Sequence, residues 1–219
     1  MFNMFKRKIG RVTEVGTPEW RARKRAVSAH NPIAQDMADV IPYKIWDTAT
    51  VAKNTQVGTE IQFFTTPQSA TKGKLLTNLE QAGRLPDPRH FYVRAMRIIF
   101  GSDMLLTDIQ AMLKNYYLEF WIGNKIYMEG PIQLFPGGSG IVGVTTNTAT
   151  ETWALGSQDP TSVDDFGDKG FSILQGQTFK VRCLLGTATA PTMSNNTTPA
   201  STGLTMICVL DGLIAREVQ

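Results

Sequence analysis

Tyr117-Leu118-Glu119-Phe120-Trp121-Ile122-Gly123-Asn124-Lys125-Ile126-Tyr127-Met128 is the stretch that decides the fold. Two runs rich in aromatic and β-branched residues flank a Gly-Asn pair. Such a pair accepts the positive φ that a two-residue hairpin turn requires, so the stretch reads as a tight antiparallel hairpin. In its first arm the side chains alternate with a period of two, which places Leu118, Phe120 and Ile122 together on an interior face.

Working outward, runs of the same kind recur at 43–51, 57–65, 91–100, 116–122, 125–128, 131–135, 141–146, 171–174, 177–185 and 204–215. Gly, Pro, Asn and Thr separate them, the punctuation of a sandwich or barrel. Regular pairing of the 91–100 run sets Arg94 and Ser102 on the face opposite Val93 and Arg97, and its imperfect alternation points to burial on both faces. Parity assigns Phe100, Leu118, Phe120, Ile122, Phe179, Val181, Cys183, Ile207 and Val209 to the interior. Helices are expected only as insertions, one over Lys74 to Ala82 closed by Gly83, another from Thr107-Asp108-Ile109-Gln110 to about Lys114. Segments 145–170 and 187–203, rich in Thr, Ser, Asn, Gly and Pro, read as long surface loops.

Strands of this number, with connections too long for a plain meander, suit a Greek-key double sheet. The predicted fold class is all-β: a single jelly-roll antiparallel β-sandwich over 43–219 with short helical insertions, preceded by a basic N-terminal arm over 1–42. At 219 residues and 42% hydrophobic content the chain can bury a full core. No apolar run is long enough to cross a bilayer and no secretory signal is read at the N-terminus, so a soluble protein is expected.

The net charge of +3 conceals an asymmetry. Residues 1–30 hold eight basic side chains (Lys6, Arg7, Lys8, Arg11, Arg21, Arg23, Lys24 and Arg25) against Glu14 and Glu19, a net +6. The other 189 residues carry 14 basic and 17 acidic side chains, a net −3. Thr17-Pro18-Glu19-Trp20 makes a helix start, predicting a short basic helix over 18–28 that Asn31-Pro32 ends. A basic tail on a mildly acidic body points to an anionic partner.

Chemistry of the catalytic kind finds little footing. His30 and His90 are isolated and read as loop residues, and no Cys-x-x-Cys or His-x-His occurs, so neither a metal nor a cofactor is expected. Cys183 and Cys208 read as buried thiols, with a disulfide between neighbouring strands as the alternative. Gly138-Ser139-Gly140-Ile141-Val142-Gly143 matches a dinucleotide fingerprint, yet β-branched residues follow where the mechanism needs a helix, so it reads as a turn leading into a strand. Asp159, Asp164, Asp165 and Asp168 lack calcium-loop spacing and read as a solvated loop. Asn195-Asn196-Thr197-Thr198 holds glycosylation acceptor triplets that read as plain loop.

Phe64-Thr65-Thr66-Pro67, Thr77-Asn78-Leu79, Gly83-Arg84-Leu85-Pro86 and Phe91-Tyr92-Val93 resemble the front of small jelly-roll coat proteins of tailless bacteriophages. The hairpin, then Gly130-Pro131-Ile132 and the Pro136-Gly137-Gly138 turn, continue the likeness over about residues 60–143. The resemblance implies a viral structural protein, a capsid subunit that assembles into an icosahedral shell, in some such phages around a membrane. It implies copies of itself as partners, in trimers or pseudo-hexamers, together with other capsid proteins. The place implied is the virion, after synthesis in the host cytoplasm. Lys6, Arg7, Lys8, Arg11, Trp20, Arg21, Arg23, Lys24 and Arg25 are then candidates for contact with an anionic internal membrane or packaged genome, or for packing on a neighbouring subunit. The alternative is a carbohydrate-binding, lectin-like sandwich presenting Trp20, Trp46, Trp121 or Trp153, although Trp121, alternating within a strand, reads as core.

Overall fold

A computed structural model describes residues 38–101, 104–135, 141–142, 154–155, 170–194 and 203–217. Its strands are β1 (Ala38–Ala52), β2 (Glu60–Phe63), β3 (His90–Phe100), β4 (Tyr116–Ile122), β5 (Lys125–Pro131), β6 (Ile141–Val142), β7 (Ala154–Leu155), β8 (Phe171–Ile173), β9 (Phe179–Leu185) and β10 (Gly203–Glu217). One α-helix is found among the described residues, α1 (Leu106–Asn115), along with a 3-10 turn at Ile132–Leu134. Two four-stranded sheets run in the orders β1-β10-β3-β8 and β2-β9-β4-β5, and β6 and β7 form a separate pair. Every pairing is antiparallel.

One apolar cluster joins the inner faces. It takes Ile45, Met96, Ile98, Cys208 and Leu210 from the first sheet, and Phe63, Leu118, Phe120, Val181 and Cys183 from the second. This is the all-β, two-layer arrangement that alternating strands require when each sheet has one face to bury. The deciding hairpin forms as its sequence predicts. Ile122 pairs with Lys125 across a turn in which Gly123 takes a φ of +59°, the left-handed region that glycine enters without a Cβ penalty.

Four expectations need correction. Parity placed Ile207 and Val209 in the interior, whereas the core face of β10 carries Met206, Cys208 and Leu210; Val209 is buried on the other side and Ile207 half-buried. Val93 and Arg97 were expected on one face. The register steps from Asp211↔Ala95 to Gly212↔Val93, leaving Arg94 as the extra residue of a β-bulge. The bulge flips parity, so Val93, Met96 and Ile98 all reach the core while Arg97 turns outward. Gly212 is required there, because a Cβ on it would lie 2.0 Å from the Tyr92 carbonyl oxygen.

The helix expected over Lys74 to Ala82 is absent, and turns stand in its place. Leu75 is 92% exposed, so the leucine spacing there makes no buried face. The Thr77 N–H still closes one turn on the Gly73 carbonyl, but the Asn78 N–H that would donate next along a helix goes to the Trp46 carbonyl of β1, which the Thr77 hydroxyl also reaches. Gly83 still serves as a left-handed turn residue, with φ +58°. Finally, 131–135 is not a strand: β5 runs on to Pro131, which lacks an N–H, and a 3-10 turn follows. Phe135 then folds back, its carbonyl accepting from the Ile98 N–H at 3.0 Å.

Smaller differences concern the edges of elements. β1 starts at Ala38 instead of 43, and β6 and β7 pair, so a strand interrupts the 145–170 loop. Of the 187–203 loop, Thr192 bridges Gln56 in the described part. Phe100 packs against the core half-buried. Ser102, the basic helix over 18–28, Asp159, Asp164, Asp165, Asp168 and Asn195 to Thr198 lie outside the described residues.

Candidate functional site

The candidate features lie on the sheet exteriors and edges. Between the buried Phe179, Val181 and Cys183 of β9, Lys180 and Arg182 alternate outward; between Leu118, Phe120 and Ile122 of β4, Glu119 and Trp121 do the same. Register Glu119↔Arg182, Trp121↔Lys180 and Gln62↔Arg182 puts them side by side across three strands. Arg182 Nε lies 2.6 Å from Glu60 Oε1, a second nitrogen donates to Oε2 at 3.1 Å, and a third stands 3.5 Å from Glu119. Trp121 Nε1 donates to Glu119 at 2.7 Å, and the charges of Lys180 and Arg182 each stand 5.7 Å from the indole centroid. The guanidinium hydrogen bond holds the Glu60 carboxyl below its ordinary range, and Glu60 in turn raises Arg182. Trp121 is therefore half-buried on the outer face, not core as its strand position suggested.

The free edge of β1 is clipped by a loop. Asn78 acts as a short strand: its side-chain oxygen accepts from Trp46 N at 2.9 Å, its side-chain nitrogen donates to Lys44 O at 2.8 Å, and its own N–H donates to Trp46 O at 3.3 Å. Behind it Asp47, 1% exposed, accepts from Phe64 N and pairs with Lys72, both at 2.6 Å. That acceptor holds Phe64 at a φ of +66°, a conformation costly for a bulky residue.

Beyond the clip a groove of about 500 Å³ opens between the edges of β1 and β2. Thr48, Thr50, Glu60 and Gln62 line it, with Thr65 and Lys72 at one end. A second hollow of about 340 Å³ lies beside Gly83, Gly123 and Lys180.

The residues singled out from sequence are dispersed. Lys6, Arg7, Lys8, Arg11, Trp20, Arg21, Arg23, Lys24 and Arg25 lie outside the described residues, as do His30 and Trp153. His90 Nδ1 accepts from Gln175 N at 3.0 Å. Trp46 Nε1 donates to Lys74 O at 3.2 Å. Cys183 and Cys208 are free, buried thiols. Burial pushes Cys183 up to about 12 and Cys208 upward too, where neither is a thiolate at neutral pH. Of the fingerprint-like glycine stretch, Ile141 and Val142 are described, and they are strand. No group of three or more His, Cys, Asp or Glu side chains suited to a metal occurs among the described residues.

Sequence reasoning missed Glu60, Arg182, Asp47, Lys72 and Asn78. Alternation within the 177–185 and 116–122 runs was the available signal for Arg182 and Glu119. Nothing local marks Asn78, whose partners lie 32 and 34 residues away. Compared with family models, curated proteins and solved structures, the chain finds no match.

Proposed function

We propose that this chain is a shell subunit, a capsid protein of a tailless bacteriophage built on a single jelly roll. The observation that carries the reading is strand order. Setting the β6–β7 pair aside and counting along the chain, the sheets run 1-8-3-6 and 2-7-4-5. That order supports a reading as two interleaved Greek keys, the jelly-roll arrangement used by viral capsid and lectin domains and by cupins. Because one fold hosts many functions, the choice among these rests on the likeness of residues 60–143 to phage coat proteins.

In this reading copies associate as trimers or pseudo-hexamers, with other capsid proteins, in a virion assembled after synthesis in the host cytoplasm. The subunit performs no catalysis and needs no cofactor. Its basic arm meets an anionic internal membrane or packaged genome. Negative-stain microscopy of the purified full-length protein tests the reading: regular shells or sheets support it, and monomers at every protein and salt concentration overturn it.

Trp121 on an outer sheet face favours a second reading, a carbohydrate-binding module. Against it, the indole N–H is already given to Glu119 and two cations stand over the ring, so it is no bare platform. A glycan array that retains the wild-type chain but not Trp121→Ala would decide for it.

A further inference from the structure

Large apolar side chains left in water in groups and rimmed by polar residues mark contact surfaces. Among the described residues the exposed ones are Leu75, Leu76, Ile126, Tyr127 and Leu134. They form two groups on opposite flanks of the sandwich. Leu75 and Leu76 belong to the loop that clips β1, on the flank where the edges of β1 and β2 face each other. Ile126 and Tyr127 lie on β5, the far edge of the second sheet. Leu134 folds back on the same strand, so that a Cβ on Gly130 would lie 3.0 Å from its Cδ1. Contact between Tyr127 and Phe171 of β8 marks this as the flank away from β1.

Both groups are held in place. The Leu76 and Thr77 N–H groups donate to the Gly73 carbonyl at 2.9 and 3.1 Å, and the Lys74 carbonyl accepts from Trp46 Nε1. The Lys74-Leu75-Leu76 tip therefore stands out on a fixed turn. On β5, the register Trp121↔Ile126 and Glu119↔Glu129 sets Ile126 and Glu129 together on the outer sheet face. A preformed tip and a strand-borne patch lose little freedom on association.

Charge decides what each group meets. Among the described residues neither the Lys74 ammonium nor the Glu129 carboxylate has an ion-pair partner. Their charged neighbours are engaged, Lys72 with Asp47 and Glu119 with Trp121 and Arg182. Lys125 stands at the turn, about 13 Å along the strand from Glu129. One partner cannot reach both flanks, so a two-fold contact would set lysine against lysine or glutamate against glutamate, which interfaces avoid. A head-to-tail contact sets lysine against glutamate. We infer that the Lys74-Leu75-Leu76 tip of one copy of this chain seats on the Ile126–Glu129 face of β5 in the next, Lys74 pairing with Glu129. Such a contact repeats, joining copies into rings or extended rows. It rests on the self-assembly reading above.

The test is a charge exchange in the full-length protein. Lys74→Glu or Glu129→Lys alone should leave at least about tenfold fewer large assemblies in sedimentation velocity, with unchanged β-sheet circular dichroism. The double variant should return assembly to within about threefold of wild type. Should a charge variant misfold, cross-linking decides instead. A chain carrying both Lys74→Cys and Glu129→Cys, treated with a short bismaleimide, should give a ladder of linked multimers that neither cysteine gives alone, Cys183 and Cys208 being buried. Folded single variants that assemble like wild type, a double variant no better than the singles, or assembly without a ladder overturn the head-to-tail contact and leave the shell reading standing. A wild type that never assembles removes the shell reading and the inference with it.

Discussion

Phe120 is fully buried between the two sheets, its ring 6.2 Å from that of Phe171, and β4 delivers it there by simple alternation. Phe120→Ala should cost ~3–5 kcal/mol, read as a lower urea midpoint. An unchanged midpoint would remove that face of β4 from the core. Gly212 illustrates the opposite constraint. A methyl group there runs into the Tyr92 carbonyl, so Gly212→Ala should destabilise by ~1–3 kcal/mol or more and loosen the bulge that turns Arg97 outward. Glu60 sets a pH dependence of known sign. Arg182 lowers its folded-state value below 4.5, so its contribution is present above that pH and fades as pH falls through the folded value. With a side chain 30% exposed the contribution is modest, and Glu60→Gln should flatten the acid limb of a stability-versus-pH curve while leaving its alkaline limb alone.

At the scale of elements, the edges distinguish this sandwich from a bare pair of sheets. Phe171 of β8 meets Tyr127 of β5 edge-on at 5.3 Å, stitching two edge strands together. On the opposite side the Asn78 clip covers the middle of β1. Asn78→Ala should cost ~1–3 kcal/mol, because Trp46 N and Lys44 O lose their partners, and exchange of the Trp46 amide should speed up. No change in that amide would mean the clip is incidental. The strands and the deciding hairpin were legible because alternation and Gly-Asn are local signals. The bulge at Arg94 was not, since an extra residue is invisible until a partner register exists, and it reversed the parity reading within β3. The clip was not legible either: Leu75, Leu76 and Leu79 mimic helical spacing, while the contacts that unwind the segment come from a strand some thirty residues earlier. Trp121 shows a signal that was present but misread, for the parity that buries Phe120 and Ile122 turns Trp121 outward.

For the molecule as a whole, charge and assembly are the properties that experiment reaches directly. Residues 1–30 carry a net +6 against −3 on the rest, and attraction of basic residues to anionic lipid is worth ~1 kcal/mol each near the surface. Co-sedimentation should therefore capture the full chain on anionic vesicles or on DNA at low salt, with DNA binding falling steeply as salt rises. Capture of neither at low salt would assign the arm to protein packing. Because β1 begins at Ala38, deletion of residues 1–37 leaves every described strand whole and should preserve the circular dichroism while impairing assembly. The central claim, a jelly-roll subunit that builds a shell from copies of itself, is tested most directly by electron microscopy of the purified full-length protein across protein and salt concentration. The account predicts closed or sheet-like arrays with a regular subunit spacing. Isolated monomers under every condition would contradict it.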